Sequence, residues 1–392
     1  MNLPENIYRP SWVEIDLDSI VHNLQQVKAY LPGVKVLAVV KADAYGLGAV
    51  PVSRLLVEEG VDYLGVVALD EAIQLRQAGI QARILNMGNI LPQQAATVVE
   101  FQLEQMVYQQ EVAEALSRAA QNRNTTAKLH LKIDTGMSRY GVPWREAVAS
   151  FAPMAQLPQV QWLGAMTHFP LSDALDKSFA LLQIHRFKTI RRQMEDEGFN
   201  LHLWHMCNSG GVLDLPEAHL DMVRVGLMLY GYFPSTDVRR PFILKPAMTV
   251  KTHIAALRTI DRGDTVGYGR RYLAEKRERI AVLPIGYADG YDRKLRGAGQ
   301  VLIQGKRAAI ISGLCMDACF INVSEFAAIN IGEPVIVMGQ DGEEEISPHD
   351  IAGLIGSVSY EVMARFGKRL PRLYRRNGEI ILVENHLVRG TK

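Results

Sequence analysis

From about Trp12 to Leu244 the chain alternates short apolar runs with segments whose hydrophobic residues recur every three or four positions. This alternation predicts repeated strand–helix units around a parallel sheet, because strands covered on both faces read as near-continuous apolar stretches. The runs are WVEID, VKVLAVV, YLGVVAL, ARILNMG, LHLKID, VQWLGAMTHF, LHLWHMC and the less regular MVRVGLMLYG. Their number is close to the eight strands of a TIM-like (β/α)8 barrel, an α/β fold. After WVEID, the residues Ile20, Leu24, Val27 and Leu31 fall on one helical face, with Asp18 or Ser19 placed to cap it. Beyond Pro246 the texture changes to alternating strands broken by glycine turns, as in AMTVKTHIAALRTI, RIAVLPIGY, VLIQGKRAAIISG, CFINV and PVIVMGQDGEE. The one clear helix there runs from SPHDIAGLIG towards SYEVMARF, started by Ser347 and Pro348. The expected division is a barrel over residues 10–244 and a mostly β C-terminal domain over residues 245–392, joined by residues 1–9.

Bulk properties narrow the function. At 392 residues with 48% hydrophobic content, the chain has room for a barrel-sized domain and a smaller one. Forty-three basic residues against 42 acidic ones leave a formal charge of +1, so no global field draws it to nucleic acid or an anionic membrane. The cluster Arg369, Arg372, Arg375 and Arg376 reads as a solvated face. Cys207, Cys315 and Cys319 do not form a disulfide framework and read as reduced thiols. MNLPENIYRPSWVEID lacks the basic and apolar regions of a secretory signal, and no apolar stretch is long enough to span a bilayer, so a cytoplasmic protein is expected. No metal site is expected.

The ionisable residues have a pattern of their own. Lys41, Asp134, Arg139, His168, Asn208, Ser209 and Arg224 all lie at or just after the C-terminal ends of the apolar runs, which in a barrel is the catalytic face. Lys41 opens the loop KADAYGLG. An amine delivered there can condense with an aldehyde, which is how an enzyme holds pyridoxal phosphate (PLP); the plainer reading is a solvated turn residue. Tyr45, Gly46 and Gly48 are close enough in sequence to serve a phosphate, through a hydroxyl and through closely approaching backbone N–H groups.

VVKADAYGLG closely resembles the lysine motif of the alanine racemases. The likeness recurs in order over the whole chain, in KIDTGMSRYGV, MTHF, CNSGG, MVRVGLMLYG, VGYGRRY, IGYADGYDR, GLCMD and SYEV. It implies a PLP-dependent racemase interconverting L- and D-alanine, feeding peptidoglycan synthesis, with Lys41 as the base on one face of the α-carbon and Tyr268 on the other. A phenol is a poor base near neutral pH. In the family a histidine linked to an arginine holds its anion, and His168 and Arg224 stand at the matching positions. Arg224 would face the pyridine nitrogen, where a guanidinium cannot donate a proton and so weakens the electron sink; the alternative is a buried strand end paired with an acid.

The same resemblance assigns the phosphate to Tyr45, Ser209, Tyr360 and the backbone amides of Gly226 and Leu227, with Asn208 beside them in CNSGG. Ser209 could equally be an ordinary loop cap. Arg139 matches the arginine that touches the ring oxygen and the substrate carboxylate, for which its forked donors are suited. Met316 matches a residue whose backbone N–H meets that carboxylate from the partner subunit, although a methionine there would normally be core. Asp317 is expected to orient its neighbours rather than carry protons. Lys132 stands where several members carry a carbamylated lysine that orients the arginine; an unmodified lysine in a salt bridge is the alternative. The chain departs from the commonest pattern at Val225, often proline, and at Gly313, often arginine, near the site entrance.

The resemblance further implies a head-to-tail homodimer in which each β domain lends Tyr268 to the other chain's barrel. The expected substrate is a small amino acid. Tyr360 narrows the pocket towards a methyl side chain, and one extra hydroxyl is discriminated by only ~1–3 kcal/mol, so a serine/alanine or broader racemase is the alternative. A PLP decarboxylase should place an acid where Arg224 stands. A PLP carrier should lack the domain that holds Tyr268, and a Schiff-base aldolase should lack visible absorbance.

Overall fold

The computed structural model describes residues 7–388. The chain separates into two compact units. One comprises residues 20–44 and 49–245, and it is the barrel. Its eight parallel strands are Lys35–Val39, Tyr63–Val66, Ile84–Asn86, Glu104–Val107, Ala127–Asp134, Val160–Met166, Leu203–His205 and Met222–Val225; the first seven pair in that order, and the last pairs with the first. The gap between Leu203–His205 and Met222–Val225 is bridged by Asp221 N–H to Trp204 O at 3.1 Å and Arg224 N–H to Cys207 O at 3.0 Å. Strands such as Tyr63–Val66 and Met222–Val225 are buried at every residue, which is why they read as unbroken apolar runs.

The second unit holds residues 7–19, 45–48 and those from Pro246 on. Its main sheet runs Lys306–Ala309, Gln300–Ile303, Pro334–Asp341, Met248–His253, Ser11–Asp16, Arg372–Arg376, Glu379–Glu384. A three-stranded antiparallel sheet, Ala256–Ile260 with Glu278–Leu283 and Cys319–Asn322, and a hairpin of Thr265–Val266 with Tyr272–Leu273 complete its β framework. Two helices follow, Pro348–Ile355 and Ser359–Arg365, separated by Gly356 at φ 67°. Ser347 and Asp350 form a reciprocal capping box at the first.

Three sequence expectations are corrected. WVEID is not a barrel strand: Ser11–Asp16 pairs antiparallel with Met248–His253 and parallel with Arg372–Arg376, so residues 10–19 belong to the β unit. The eighth barrel strand is instead Glu104–Val107, hidden in the sequence by its two polar residues. Asp16, not Asp18 or Ser19, caps the following helix, accepting from the N–H groups of Asp18 and Ser19 at 2.9 and 3.2 Å. Within the basic C-terminal cluster, Arg372 is core rather than solvated, donating to the carbonyls of Gly46 and Leu370. Cys207 and Cys319 are buried and Cys315 partly so, all three unpaired as thiols.

Candidate active site

The C-terminal end of the barrel assembles its chemistry from loops that its strands aim. Arg224 lies in Met222–Val225 and is 4% exposed. Its Nη2 donates to Thr167 O (2.8 Å), His168 Nδ1 (3.0 Å) and Met206 O (3.2 Å); its Nη1 donates to His205 Nδ1 and His205 O, both at 3.1 Å. No carboxylate touches it among the described residues, so the paired-acid reading fails. Burial lowers its pKa to about 10, which still leaves it a cation at neutral pH.

An arginine has no acceptor, so His168 Nδ1 must be unprotonated and the ring carries its hydrogen on Nε2. Burial, with Arg224, Lys132, Arg139 and Lys41 nearby, holds His168 well below the ordinary imidazole range. It is therefore a neutral ring with one N–H to give.

Lys41 begins a turn in which Ala42, Asp43, Ala44 and Tyr45 all take left-handed backbone angles, φ 52–58°. Such angles cost roughly 1–2 kcal/mol per non-glycine residue, so the turn has to be held in place. Ala44 N–H reaches Val40 O at 2.9 Å, Ala42 N–H reaches Glu71 Oε1 at 2.6 Å, and Asp43 Oδ1 accepts from Ala49 N–H at 2.7 Å. Burial lowers the Lys41 pKa, Arg139 lowers it further, and Glu71 opposes. The effect is an amine readier to act as a nucleophile or base.

Asp134 ends Ala127–Asp134 and accepts from the N–H groups of Gly136, Met137 and Ser138 at 2.9, 2.8 and 3.1 Å, shaping the loop that presents the exposed Arg139. Lys132, one turn of pleat earlier on that strand, is buried. Its pKa lies well below the ordinary value through burial and the neighbouring Arg224 and Arg139, with only Asp134 opposing. In CNSGG, Asn208 caps the helix Ser209–Asp214 by accepting from Gly211 N–H at 3.0 Å and from Ser172 Oγ–H at 2.7 Å. The buried Ser209 Oγ lies 3.4 Å from Gly226 N, bringing Ser209 next to the Gly226–Leu227 backbone. A Cβ at Gly210 would stand 2.7 Å from Ser172 Oγ, so this turn admits only glycine closely.

The remaining sequence-predicted residues lie in the second unit. Tyr45 and Tyr360 have ring centroids 6.0 Å apart, and burial pushes the Tyr45 phenol up, keeping it protonated. Tyr268 sits at the tip of its hairpin between Gly267 and Gly269, both at φ 73°, and is 80% exposed. It lines a cavity of about 700 Å3 with Arg271, Tyr287, Arg293, Arg296 and Leu354. Met316 is 53% exposed rather than core, and its neighbour Asp317 pairs with Arg369 at 2.5 Å. At Gly313, a would-be Cβ stands in ordinary contact with Arg296 Cδ at 3.7 Å.

Sequence reasoning passed over His205, His130 and Glu104. His205 Nε2 lies 3.1 Å from His130 Nδ1, and His130 Nε2 lies 2.9 Å from Glu104 Oε2. Their signal was available: polar residues interrupting apolar runs in LHLKID, LHLWHMC and EQMV.

Comparison with known proteins gives matches over nearly the whole chain. Residues 15–234 match the family description "Alanine racemase, N-terminal domain" and residues 247–374 "Alanine racemase, C-terminal domain". The alanine racemase of Clostridium tetani is 39% identical over 382 residues, covering 97% of this chain and 99% of the relative. That of Desulfovibrio desulfuricans is 42% identical over 367 residues, covering 93% and 98%. The solved alanine racemase of Clostridium difficile superposes with a TM-score of 0.94 at 34% identity, covering 98% of this chain and 100% of that one. The Bacillus anthracis enzyme, solved with bound L-Ala-P, gives 0.92 at 33%, covering 98% and 99%. With both halves matched and relatives aligned from end to end, the chain belongs to the alanine racemases.

Proposed function

We propose that this alanine racemase works with PLP and two bases, Lys41 and the Tyr268 of a second copy of the chain. The observation that carries the reading is the Arg224–His168 pair beside a depressed lysine: a neutral imidazole with its single N–H on Nε2, and a nearby amine readied for bonding.

The residues fit the cofactor. Lys41 Nζ would bind its aldehyde carbon, Arg224 would face the ring nitrogen as a donor that has no proton to lose near neutral pH, and Ser209, the Gly226 and Leu227 amides, Tyr45 and Tyr360 would hold its phosphate. Gly210 lets the CNSGG segment pack directly against Ser172 and Asp173, whose Oγ and Cβ stand 2.7 and 3.1 Å from where a Cβ would be, and this packing fixes the neighbouring Ser209. When bound, PLP supplies the electron withdrawal that acidifies the α-hydrogen of an amino acid. Once the substrate amine has taken its place on the aldehyde carbon and freed it, Lys41 Nζ would take or give a proton on one face of the α-carbon, and Tyr268 Oη would do so on the other. His168 Nε2–H stabilises the Tyr268 phenolate by donating to it. Arg139, with Met316 N–H, orients the substrate carboxylate, and Asp317 keeps Arg369 in place beside that segment.

Lys132 is buried between two guanidiniums with its amine driven towards the neutral form, which is the form that adds carbon dioxide. Addition of carbon dioxide to that neutral amine, with loss of one proton, would leave an anionic carbamate able to orient Arg139. Mass spectrometry of the Lys132 peptide under non-acidic conditions should show the added carbon dioxide; an unmodified peptide would refute it.

The substrate is L- or D-alanine, the product D-alanine serves peptidoglycan synthesis, and the enzyme acts in the cytoplasm as a homodimer. Among the described residues no helix is long and apolar enough to cross a membrane. Purified protein supplied with PLP should interconvert the alanine enantiomers in a chiral assay, and Lys41→Ala and Tyr268→Phe should each remove nearly all of it. Wild-type-like racemisation by either variant would refute the two-base reading.

A further inference from the structure

A line of four buried polar residues runs up the barrel interior from the first residue of one strand to the catalytic end. Glu104 opens Glu104–Val107, His130 lies within Ala127–Asp134, His205 closes Leu203–His205, and Arg224 lies in Met222–Val225. Glu104 is 3% exposed and both histidines are fully buried. The contacts are Glu104 Oε2 to His130 Nε2 at 2.9 Å, His130 Nδ1 to His205 Nε2 at 3.1 Å, and His205 Nδ1 to Arg224 Nη1 at 3.1 Å. At the outer end Arg83 Nε donates to Glu104 Oε1 at 2.6 Å and its guanidinium lies 4.2 Å from the Tyr63 ring centroid.

The ends of this line are chemically opposite. Arginine is donor-only and an ionised carboxylate is acceptor-only. Starting from Arg224, His205 Nδ1 must be the acceptor, so His205 carries its hydrogen on Nε2 and donates to His130. His130 Nδ1 then accepts, and its hydrogen sits on Nε2, aimed at Glu104. Each imidazole has one possible tautomer, and every hydrogen bond points the same way. A doubly protonated His130 would set two N–H groups against each other at His205, an uncompensated clash in a dry interior. Only an acceptor at position 104 closes the sequence.

We infer that Glu104 is a positioning residue for the racemase site: through His130 and His205 it fixes the acceptor that orients one arm of the Arg224 guanidinium, and thereby the other arm at His168. The inference rests on the reading of Arg224 as the group facing the cofactor ring. Without the carboxylate, His130 and His205 can each exchange tautomers. In the exchanged form an N–H points at Nη1 of Arg224, and the guanidinium must turn away from Thr167 O and His168.

The test uses the holoenzyme with 15N-labelled histidine and two variants. Glu104→Gln keeps an acceptor for His130 Nε2–H, while Glu104→Leu removes it. In wild type, nitrogen spectra should show His130 and His205 each protonated on Nε2 alone. Glu104→Leu should mix the tautomers at both rings and lower kcat roughly tenfold, the size expected for misplacing one charged hydrogen bond, with KM for alanine nearly unchanged. Glu104→Gln should retain most of the tautomer bias and most of kcat. A wild-type His205 protonated on Nδ1 overturns the inference without any variant, which covers the case of a misfolded Glu104→Leu chain. Mixed tautomers with unchanged kcat in Glu104→Leu overturn the positioning role. Loss of kcat to the same extent in both variants, with tautomers intact, assigns Glu104 a purely structural role and overturns it too. If wild type does not racemise alanine at all, the reading of the site fails while the tautomer result stands by itself.

Discussion

Replacing Arg224 with lysine keeps a positive charge in the barrel and removes its shape. The guanidinium serves five acceptors from two nitrogens: the carbonyls of Thr167, Met206 and His205 and the Nδ1 atoms of His168 and His205. An ammonium has its three N–H groups on one atom and can reach three of those acceptors at most. Two buried acceptors therefore lose a charged donor, at about 1.5–3 kcal/mol each. His205 O also accepts from Thr167 N–H at 3.3 Å, so one of the losses is softened. The expected destabilisation is about 3–4 kcal/mol, a large part of the ~5–15 kcal/mol that holds an ordinary domain together. Urea unfolding followed by tryptophan fluorescence reads it, since three of the four tryptophans, Trp144, Trp162 and Trp204, belong to the barrel unit. A shift worth less than about 1 kcal/mol would mean the five-acceptor arrangement does not hold the guanidinium, and the geometry argued for His168 and His205 would fall with it.

Acid should destabilise the protein earlier than its carboxylates alone require. Burial and Arg224 hold His168 and His205 well below the ordinary 6.5, so below that pH the unfolded chain gains two protons that the folded chain refuses. Stability is then lost as pH falls, by about 2 kcal/mol in all between pH 6.5 and 5.5; a flat profile across that window in urea titrations contradicts it. The amine of Lys41, titrated by trinitrobenzenesulfonate labelling of enzyme freed of cofactor, should reach half-reactivity below the ordinary lysine value of 10.5. Glu71→Gln should lower that midpoint further and Arg139→Met should raise it, because the first removes an attractive charge and the second a repulsive one. Movement of either midpoint in the opposite sense would show that the electrostatics around Lys41 are misassigned.

The barrel was largely legible because parallel strands buried on both faces are written as apolar runs, and the catalytic face followed from which ends of those runs carried ionisable residues. Two strands were exchanged, for physical reasons. Ser11–Asp16 has the apolar texture of a barrel strand and is followed by a helix, and only its pairing with residues more than two hundred positions away assigns it elsewhere. Glu104–Val107 lacks that texture because both Glu104 and Gln105 are buried and satisfied inside: Gln105 accepts from Asn86 Nδ2 and donates to Gly88 O, each at 2.8 Å. A pattern of hydrophobicity cannot register a polar residue whose partners lie on other strands. His130 and His205 visibly interrupt their apolar runs, but the run does not say that each satisfies the other across the barrel. Conversely, the left-handed turn after Lys41 has no glycine at its four positions, and nothing local foretells it; Glu71 and Asp43 hold it by contacts made across sequence. Met316, whose residue type alone would suggest a core, is exposed, and Arg372, expected in solvent, is buried among carbonyls, both outcomes of tertiary neighbours rather than of residue type.

Subunit mixing tests the shared-site account most directly. Lys41→Ala and Tyr268→Phe chains, each inactive as a homodimer, are combined, and exchange is confirmed by different affinity tags. If each barrel takes its tyrosine from the other chain, a heterodimer holds one site with both defects and one with neither. Racemisation should then reappear and approach half of the wild-type value per heterodimer. Confirmed exchange with activity remaining at background would contradict the account, requiring Tyr268 to act within its own chain or not at all.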